Sequence, residues 1–275
     1  MGKFDHILFT SDFDFTLTDR TGHIPQSNLD AIVFFMEQGG AFTINTGRSL
    51  AQCVNRFRSI PMNAPLLFCN GAGAYDLQTG QVLFCHMLPP DAKAMMQRFA
   101  AANPDLRLEA HSLEKNHIFN SDQRREDYLI RQGAAFEYGN WDTLPEPCVK
   151  FAIYSHAHID SGDADEQRFA RLRQEVEACG GGRYAATHSL PGLVEVQTAG
   201  FSKATGAREL AALLNRSVIV CAGDAPNDLE MLEDADHAFL AGDCYPQMLN
   251  RGFTMAAPCA EGTVADVIRR LDGMF

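Results

Sequence analysis

Two carboxylates one residue apart, Asp12 and Asp14, close a short apolar and β-branched run over residues 7–10 that has the character of a buried strand. A buried strand does not end in bare charge without a chemical reason. Like charges this close raise each other's proton affinity unless a cation lies between them, so the pair either binds a metal or carries one carboxyl with a strongly raised pKa. Mg2+ suits the first alternative, because it takes oxygen ligands and is held by one or two carboxylates together with the phosphate of a substrate.

Three further sets of polar residues stand at corresponding places. Thr46 and Gly47 follow the apolar run 41–45, Lys203 lies in the first turn of a predicted helix, and Gly223, Asp224, Asn227 and Asp228 follow the run 217–222. Each alone has a plain structural explanation. Thr46 can cap a helix, first-turn lysines are common although they oppose the helix dipole, and Gly-Asp-x-x-Asn-Asp can be a capped turn. A glycine and three polar side chains directly after residues 218–221 are more than capping requires.

The elements that must position these residues alternate. Predicted strands at 7–10, 41–45 and 66–69 are separated by helices at 28–38, capped by Ser27 and stopped at Gly39-Gly40, and at 50–57, capped by Ser49. Such alternation implies right-handed crossovers and a parallel sheet, with ligands bound beyond the carboxyl ends of the strands, where Asp12, Asp14, Thr46 and Asn70 fall. From about Gln81 the texture changes. Short strands at 81–88, 106–111, 117–120, 149–155 and 184–188, with helices at 91–102, 124–132 and 165–179, describe a second α+β unit. The alternation then resumes with helix 203–214, strand 217–222, helix 227–232, short strands at 238–240 and 253–255, and helix 263–271. The expected fold class is α/β: a doubly wound parallel-sheet core over residues 1–81 and 195–275, with an α+β domain inserted at 82–194.

In this order and on this pattern, Asp12-Phe13-Asp14-Phe15-Thr16-Leu17, Thr46, Lys203 and Gly223-Asp224-x-x-Asn227-Asp228 resemble the four motifs of the haloacid dehalogenase superfamily. The large insert between Thr46 and Lys203 looks like that of the sugar-phosphatase-like Cof subfamily. The resemblance implies a Rossmann-like core, a cap that selects the substrate, and Mg2+-dependent hydrolysis of a small phosphomonoester, a sugar phosphate or related metabolite. By motif position it makes Asp12 the nucleophile that forms an aspartyl phosphate and Asp14 the general acid and base. Lys203 becomes the cation bridging nucleophile and phosphate. Thr46, Gly47, Asn227 and Thr16 fall on the substrate side, and Asp12, Asp14 (through its backbone carbonyl), Asp224 and Asp228 on the metal side. One departure stands out: the family usually has glycine where this chain has Phe15, which adds bulk at a tight turn.

The chemistry explains why so many charged groups are needed. Enzymes accelerate phosphate monoester hydrolysis by up to about 10^21. A carboxylate approaching a phosphate meets a repulsion of roughly 4 kcal/mol for a unit pair at about 4 Å and an effective dielectric of about 20, which cations must outweigh. On the same fold, a phosphotransferase or phosphomutase would pass the aspartyl phosphate to a sugar. A non-enzymatic phospho-acceptor is a further alternative, against which the insert and Asp14 both speak, and a degenerate sugar-phosphate-binding protein is another, against which the retention of Asp12, Asp14 and Asp224 speaks.

The balance of 23 basic and 35 acidic residues, net −12, excludes a large nucleic-acid or anionic-membrane footprint. No apolar run approaches a membrane span and none near Met1 makes a secretory core, so a cytoplasmic protein acting on a small phosphorylated metabolite is expected. Its oligomeric state is not encoded in any feature of the sequence. The eight cysteines form no Cys-x-x-Cys pair and are expected to be buried free thiols. His156 and His158 could share a strand face as metal ligands, with a surface placement favoured. Arg124, Arg125 and Lys115 could meet a substrate phosphate, although a solvated face is the better expectation.

Overall fold

A computed structural model describes residues 2–155, 166–190 and 192–275. The chain opens with β1 (Ile7–Ser11), α1 (Gln26–Glu37), β2 (Ala41–Ile44), α2 (Leu50–Phe57), β3 (Leu66–Phe68), β4 (Gly73–Asp76) and β5 (Gln81–Cys85). Its middle adds α3 (Ala92–Ala102), β6 (Leu106–His111), β7 (Asn116–Phe119), α4 (Gln123–Arg131), β8 (Phe136–Tyr138), β9 (Lys150–Ser155), α5 (Glu166–Gly180), β10 (Tyr184–Thr187) and β11 (Leu193–Thr198). It closes with α6 (Lys203–Leu213), β12 (Val218–Gly223), α7 (Leu229–Asp234), β13 (His237–Leu240), β14 (Thr254–Met255) and α8 (Thr263–Met274).

These elements divide between two units, one comprising Met1–Gly47, Arg58–Phe84 and Ser202–Phe275, the other Arg48–Phe57 and Cys85–Phe201. The first is built on a wholly parallel sheet of order β14-β13-β12-β1-β2. Both faces of β1 are apolar, as a strand covered by helices on each side requires. Leu8 packs with Ala207 and Leu210 of α6. Its neighbour Phe9 points the other way, edge-on to Phe35 of α1 and Phe42 of β2, with ring centroids 6.0 and 5.4 Å apart. The register sets Ser11 opposite both Ala222 and Ile44. Three central strands therefore end level, which brings residues 12, 45 and 223 to one edge.

Several expectations are corrected here. The strand expected at 66–69 is shorter and joins the parallel sheet only through a single bridge between Asn45 and Leu67. Its main partner is the antiparallel β4, which the sequence reading missed, in a three-stranded sheet β3-β4-β5. That ladder also takes β5, so the first unit runs to Phe84 rather than 81. At the return, β11 pairs antiparallel with β9, and a boundary at 195 would cut through it. Helix α1 starts at Gln26, with Pro25 rather than Ser27 at its N-cap, where the Pro25 carbonyl accepts from the Asn28 N–H at 2.9 Å. The helix expected at 227–232 is a short 3₁₀ turn, Pro226–Asp228, followed by α7.

The second unit carries a six-stranded sheet, β10-β11-β9-β6-β7-β8, antiparallel except between β7 and β8. One face is apolar: Leu108, Ala110, Phe151, Ile153, Val194 and Val196 pack with Met96 of α3 and Phe169 of α5. The opposite face is polar yet buried, holding Glu109, His111, Asn116, Lys150 and Glu195. Lys150 donates to Glu195, and Arg125 of α4 donates to Glu109 Oε2 at 2.8 Å and to the Tyr154 hydroxyl at 3.1 Å. Arg125 is therefore an internal ion-pair partner, not part of a solvated face. Arg124 is exposed, and Lys115 forms a surface pair with Glu137 at 2.8 Å. His156 and His158 lie outside the described residues.

All eight cysteines are free; Cys179 is exposed and Cys85 and Cys244 half-buried, contrary to uniform burial. Among the described residues no helix is long and apolar enough to cross a membrane.

Candidate active site

The level ends of β1, β2 and β12 place Asp12, Asn45 and Asp224 together, and the start of α6 supplies Lys203. Asp12 extends β1 by one backbone bond, its N–H donating to Ala222 O at 2.9 Å. The chain then turns through a distorted helical turn, Phe13–Leu17, closed by the Thr18 N–H donating to Phe13 O at 3.0 Å. This turn brings Thr16 back, so that its hydroxyl donates to Asp224 Oδ1 at 3.0 Å. Thr16 thus touches an acidic neighbour, although the motif assigned it to the substrate side.

Asp12, Asp224 and Asp228 are all buried, each with a carboxylate oxygen within 4.8 Å of the others. Lys203, also fully buried, donates to Asp12 Oδ1 and, at 2.6 Å, to Asp228 Oδ1. The second oxygen of Asp228 accepts from the backbone N–H groups of Asp224 and Ala225, both at 3.0 Å. Gly223 permits this fold-back, since a Cβ there would lie 2.6 Å from Asp228 Cβ. With both oxygens engaged, Asp228 fixes the loop after β12 and anchors the ammonium.

Burial of Asp12, reinforced by the charges of Asp228 and Asp14 and opposed by Lys203, pushes its carboxyl up to about 7. Burial together with the charges of Asp12 and Asp228 pushes Asp224 up to about 9. For Lys203, burial works against the ammonium, but the Asp12 and Asp228 carboxylates outweigh it and hold its pKa above the ordinary lysine value. With all three carboxyls ionised, three carboxylates against one ammonium leave an excess of two negative charges (three minus one) among the buried carboxylate oxygens. That donor set fits a hard divalent cation such as Mg2+. Asp14 is half-buried and its carboxylate stands outside the cluster of three, though its charge is felt at Asp12.

Thr46 and Gly47 leave β2 at the same edge. The Thr46 N–H donates to Leu67 O at 3.0 Å, and Thr46 O accepts from Asn70 N at 2.8 Å. Asn227 Nδ2 donates to Asn70 Oδ1 at 3.0 Å, joining the loop after β12 to the loop after β3. Asn70 Nδ2 is buried and has no hydrogen-bond partner among the described residues.

Three residues at this edge were missing from the candidate set. Asn45 Nδ2 donates to the backbone carbonyl of Lys203 at 2.9 Å, tying α6 to the sheet. Its signal was an amide at the end of an apolar strand. In sequence Asn70 is marked only by its place at a strand end; its left-handed φ of 55° fits the Asn-Gly pair in which it stands. Gly206 lets α6 approach the loop after β3, for a Cβ there would lie 2.6 Å from Gly71 O. Only the partner loop shows why glycine stands in the middle of a helix.

Comparison with known proteins agrees with this geometry. The model of the haloacid dehalogenase-like hydrolase family matches residues 9–268. An HMP-PP phosphatase from Yersinia pestis (strain Pestoides F) is 26% identical over 246 residues, covering 88% of this chain and 85% of that protein. Among solved structures, a haloacid dehalogenase-like hydrolase from Bacteroides thetaiotaomicron is similar with a TM-score of 0.81 at 19% identity, covering 96% of this chain and 98% of that one. A HAD/COF-like hydrolase from Plasmodium vivax gives 0.81 at 22% identity, covering 100% and 97%. With nearly the whole chain matched, this protein is an enzyme of the haloacid dehalogenase-like hydrolase family.

Proposed function

We propose that the chain is a Mg2+-dependent phosphatase that hydrolyses a small phosphomonoester, a sugar phosphate or related metabolite, through an aspartyl phosphate on Asp12. The observation that carries this reading is Lys203, held between Asp12 and Asp228 beside the buried acidic cluster. The Yersinia pestis relative is itself named a phosphatase.

In this reading Asp12 attacks phosphorus, the bond to the leaving oxygen breaks, and Asp14 protonates that oxygen. Asp14 then removes a proton from the attacking water, which releases inorganic phosphate and restores the Asp12 carboxylate. Lys203 offsets the repulsion between nucleophile and phosphate, and its bond to Asp228 keeps it there. Thr46, Gly47 and Asn227 serve the phosphoryl group, and Asn70 Nδ2 adds a spare buried donor on the same loops. Asp12, Asp224 and the Asp14 carbonyl would hold Mg2+, with Asp228 completing the acidic surroundings. Bound there, the ion would neutralise the negative charge gathered between carboxylates and phosphate. The second unit is the substrate-selecting insert.

Inorganic phosphate released from a panel of phosphomonoesters, with Mg2+ and with a chelator, tests the proposal. Metal-dependent release is expected. No release from any ester, with acceptor sugars becoming phosphorylated instead, would replace the hydrolase by a transferase.

A further inference from the structure

Phe15 immediately follows Asp14 and has φ 65° and ψ 13°, a left-handed conformation unfavourable to a residue with a Cβ. Strain of this kind persists where the surroundings hold it. Here they do. The Phe15 N–H donates to Thr18 Oγ1 at 3.3 Å, and the Arg20 guanidinium lies over its ring, 5.2 Å from the centroid. Arg20 is itself held: Nη2 donates to Asp243 O at 2.6 Å, and Nε lies 3.4 Å from Asp243 Oδ2. Asp243 in turn accepts from the backbone N–H of Cys259 at 2.8 Å and from its thiol at 3.1 Å. Two residues on, the Tyr245 N–H donates to Asp224 O at 3.0 Å, which ties this loop to the acidic cluster.

We propose that Phe15 and Arg20 are positioning residues: ring, guanidinium and Asp243 form a clamp that fixes the turn carrying Asp14. A glycine at position 15 would adopt the same φ but give Arg20 nothing to rest on. The bulk that departs from the family pattern thus does the work of a bolt. Phe15 acts through Asp14, so the inference rests on the reading of Asp14 as general acid.

A general acid matters most when the leaving group is poor. The test therefore compares kcat/KM for an alkyl phosphate from the active panel and for p-nitrophenyl phosphate, whose leaving group departs without protonation. Asp14→Asn is the reference and should lose far more on the alkyl ester. Phe15→Gly, which keeps the backbone conformation, and Arg20→Gln should each lower the alkyl value about 10-fold, part of the roughly 10^2–10^4 a positioned acid contributes. Both should stay within about 2-fold on p-nitrophenyl phosphate, and the double variant should be no worse than either single one. Unchanged alkyl activity in Phe15→Gly, equal losses on both esters, or losses that multiply would overturn the clamp. A failure of the underlying reading shows separately, in Asp14→Asn itself: equal losses there on both esters would remove the acid, and the clamp with it.

Discussion

Lys203 Nζ donates to Asp228 Oδ1 at 2.6 Å, and both side chains are completely buried. The bond joins the first turn of α6 to the loop after β12, and the same ammonium reaches Asp12 at the end of β1. A lysine at a helix N-terminus opposes the helix dipole, so its place is explained by the carboxylates it meets and not by the helix.

Removing that ammonium takes the counter-charge from two buried carboxylates, Asp12 and Asp228, although Asp228 keeps its two backbone N–H donors. Lys203→Met should cost about 3–5 kcal/mol, the usual consequence of breaking a buried ion pair from one side. Urea unfolding measures it directly. A variant as stable as wild type would show that solvent reaches Asp228 and that the ion pair contributes little.

The raised pKa values of Asp12 and Asp224 make the metal-free fold sensitive to alkali. Both carboxyls are lifted from 3.8, to about 7 and about 9, so the folded state keeps protons that the unfolded chain has already released. Stability in chelator should therefore fall as pH rises from about 4 through this range. Mg2+ should raise the melting temperature more at about pH 8 than at about pH 5, because only the ionised cluster needs the cation. A larger Mg2+ shift at the lower pH would contradict the assignment of the cluster as its site.

In the second unit, Glu109 shows the opposite behaviour. Burial favours its protonated form, but the Arg125 guanidinium and the hydrogen bond from His111 outweigh this and hold it well below the usual carboxylate range. Its contribution is present above the ordinary glutamate pKa of 4.5 and is lost as the pH falls below that value. Glu109→Gln should lower stability near neutrality by about 3 kcal/mol, since Arg125 is left buried without its counter-charge. The acid-induced decline of wild type should be blunted in the variant. Identical denaturation curves for the two proteins would refute the ion pair.

Gly206 faces the loop after β3. An added Cβ would stand 2.6 Å from Gly71 O and 2.7 Å from Gly71 Cα, backbone atoms that cannot swing aside. Gly206→Ala is expected to destabilise by about 1–3 kcal/mol despite the better helix propensity of alanine. A gain in melting temperature would mean that the loop yields freely.

How much of this was legible depended on whether the signal was local. Asp12, Asp14, Thr46, Lys203 and Asp224 announced themselves because each is a polar residue at the end of an apolar strand or in the first turn of a helix. Strand β11 was missed although Val194 and Val196 alternate with Glu195 and Gln197, because the alternation is short and its polar members are buried against the sheet's charged face rather than exposed. The small sheet β3-β4-β5 was misread for a related reason: a run of three apolar residues, Leu66–Phe68, does not reveal whether its partner runs parallel or antiparallel. Arg125 looked like surface because its helix is otherwise polar; the sheet face beneath it is charged and buried, a property residing in six strands rather than in any window of sequence. Asn45, Asn70 and Gly206 earn their places through partners many residues away.

The central claim is that Asp12 makes the bond to phosphorus. Asp12→Asn removes the nucleophile while keeping its shape. Phosphate release from the best ester of the panel, in Mg2+ and with folding checked by melting temperature, should fall by on the order of 10^3-fold or more, as removal of a covalent nucleophile does elsewhere. A folded Asp12→Asn protein that turns over at the wild-type rate would contradict the account at its foundation.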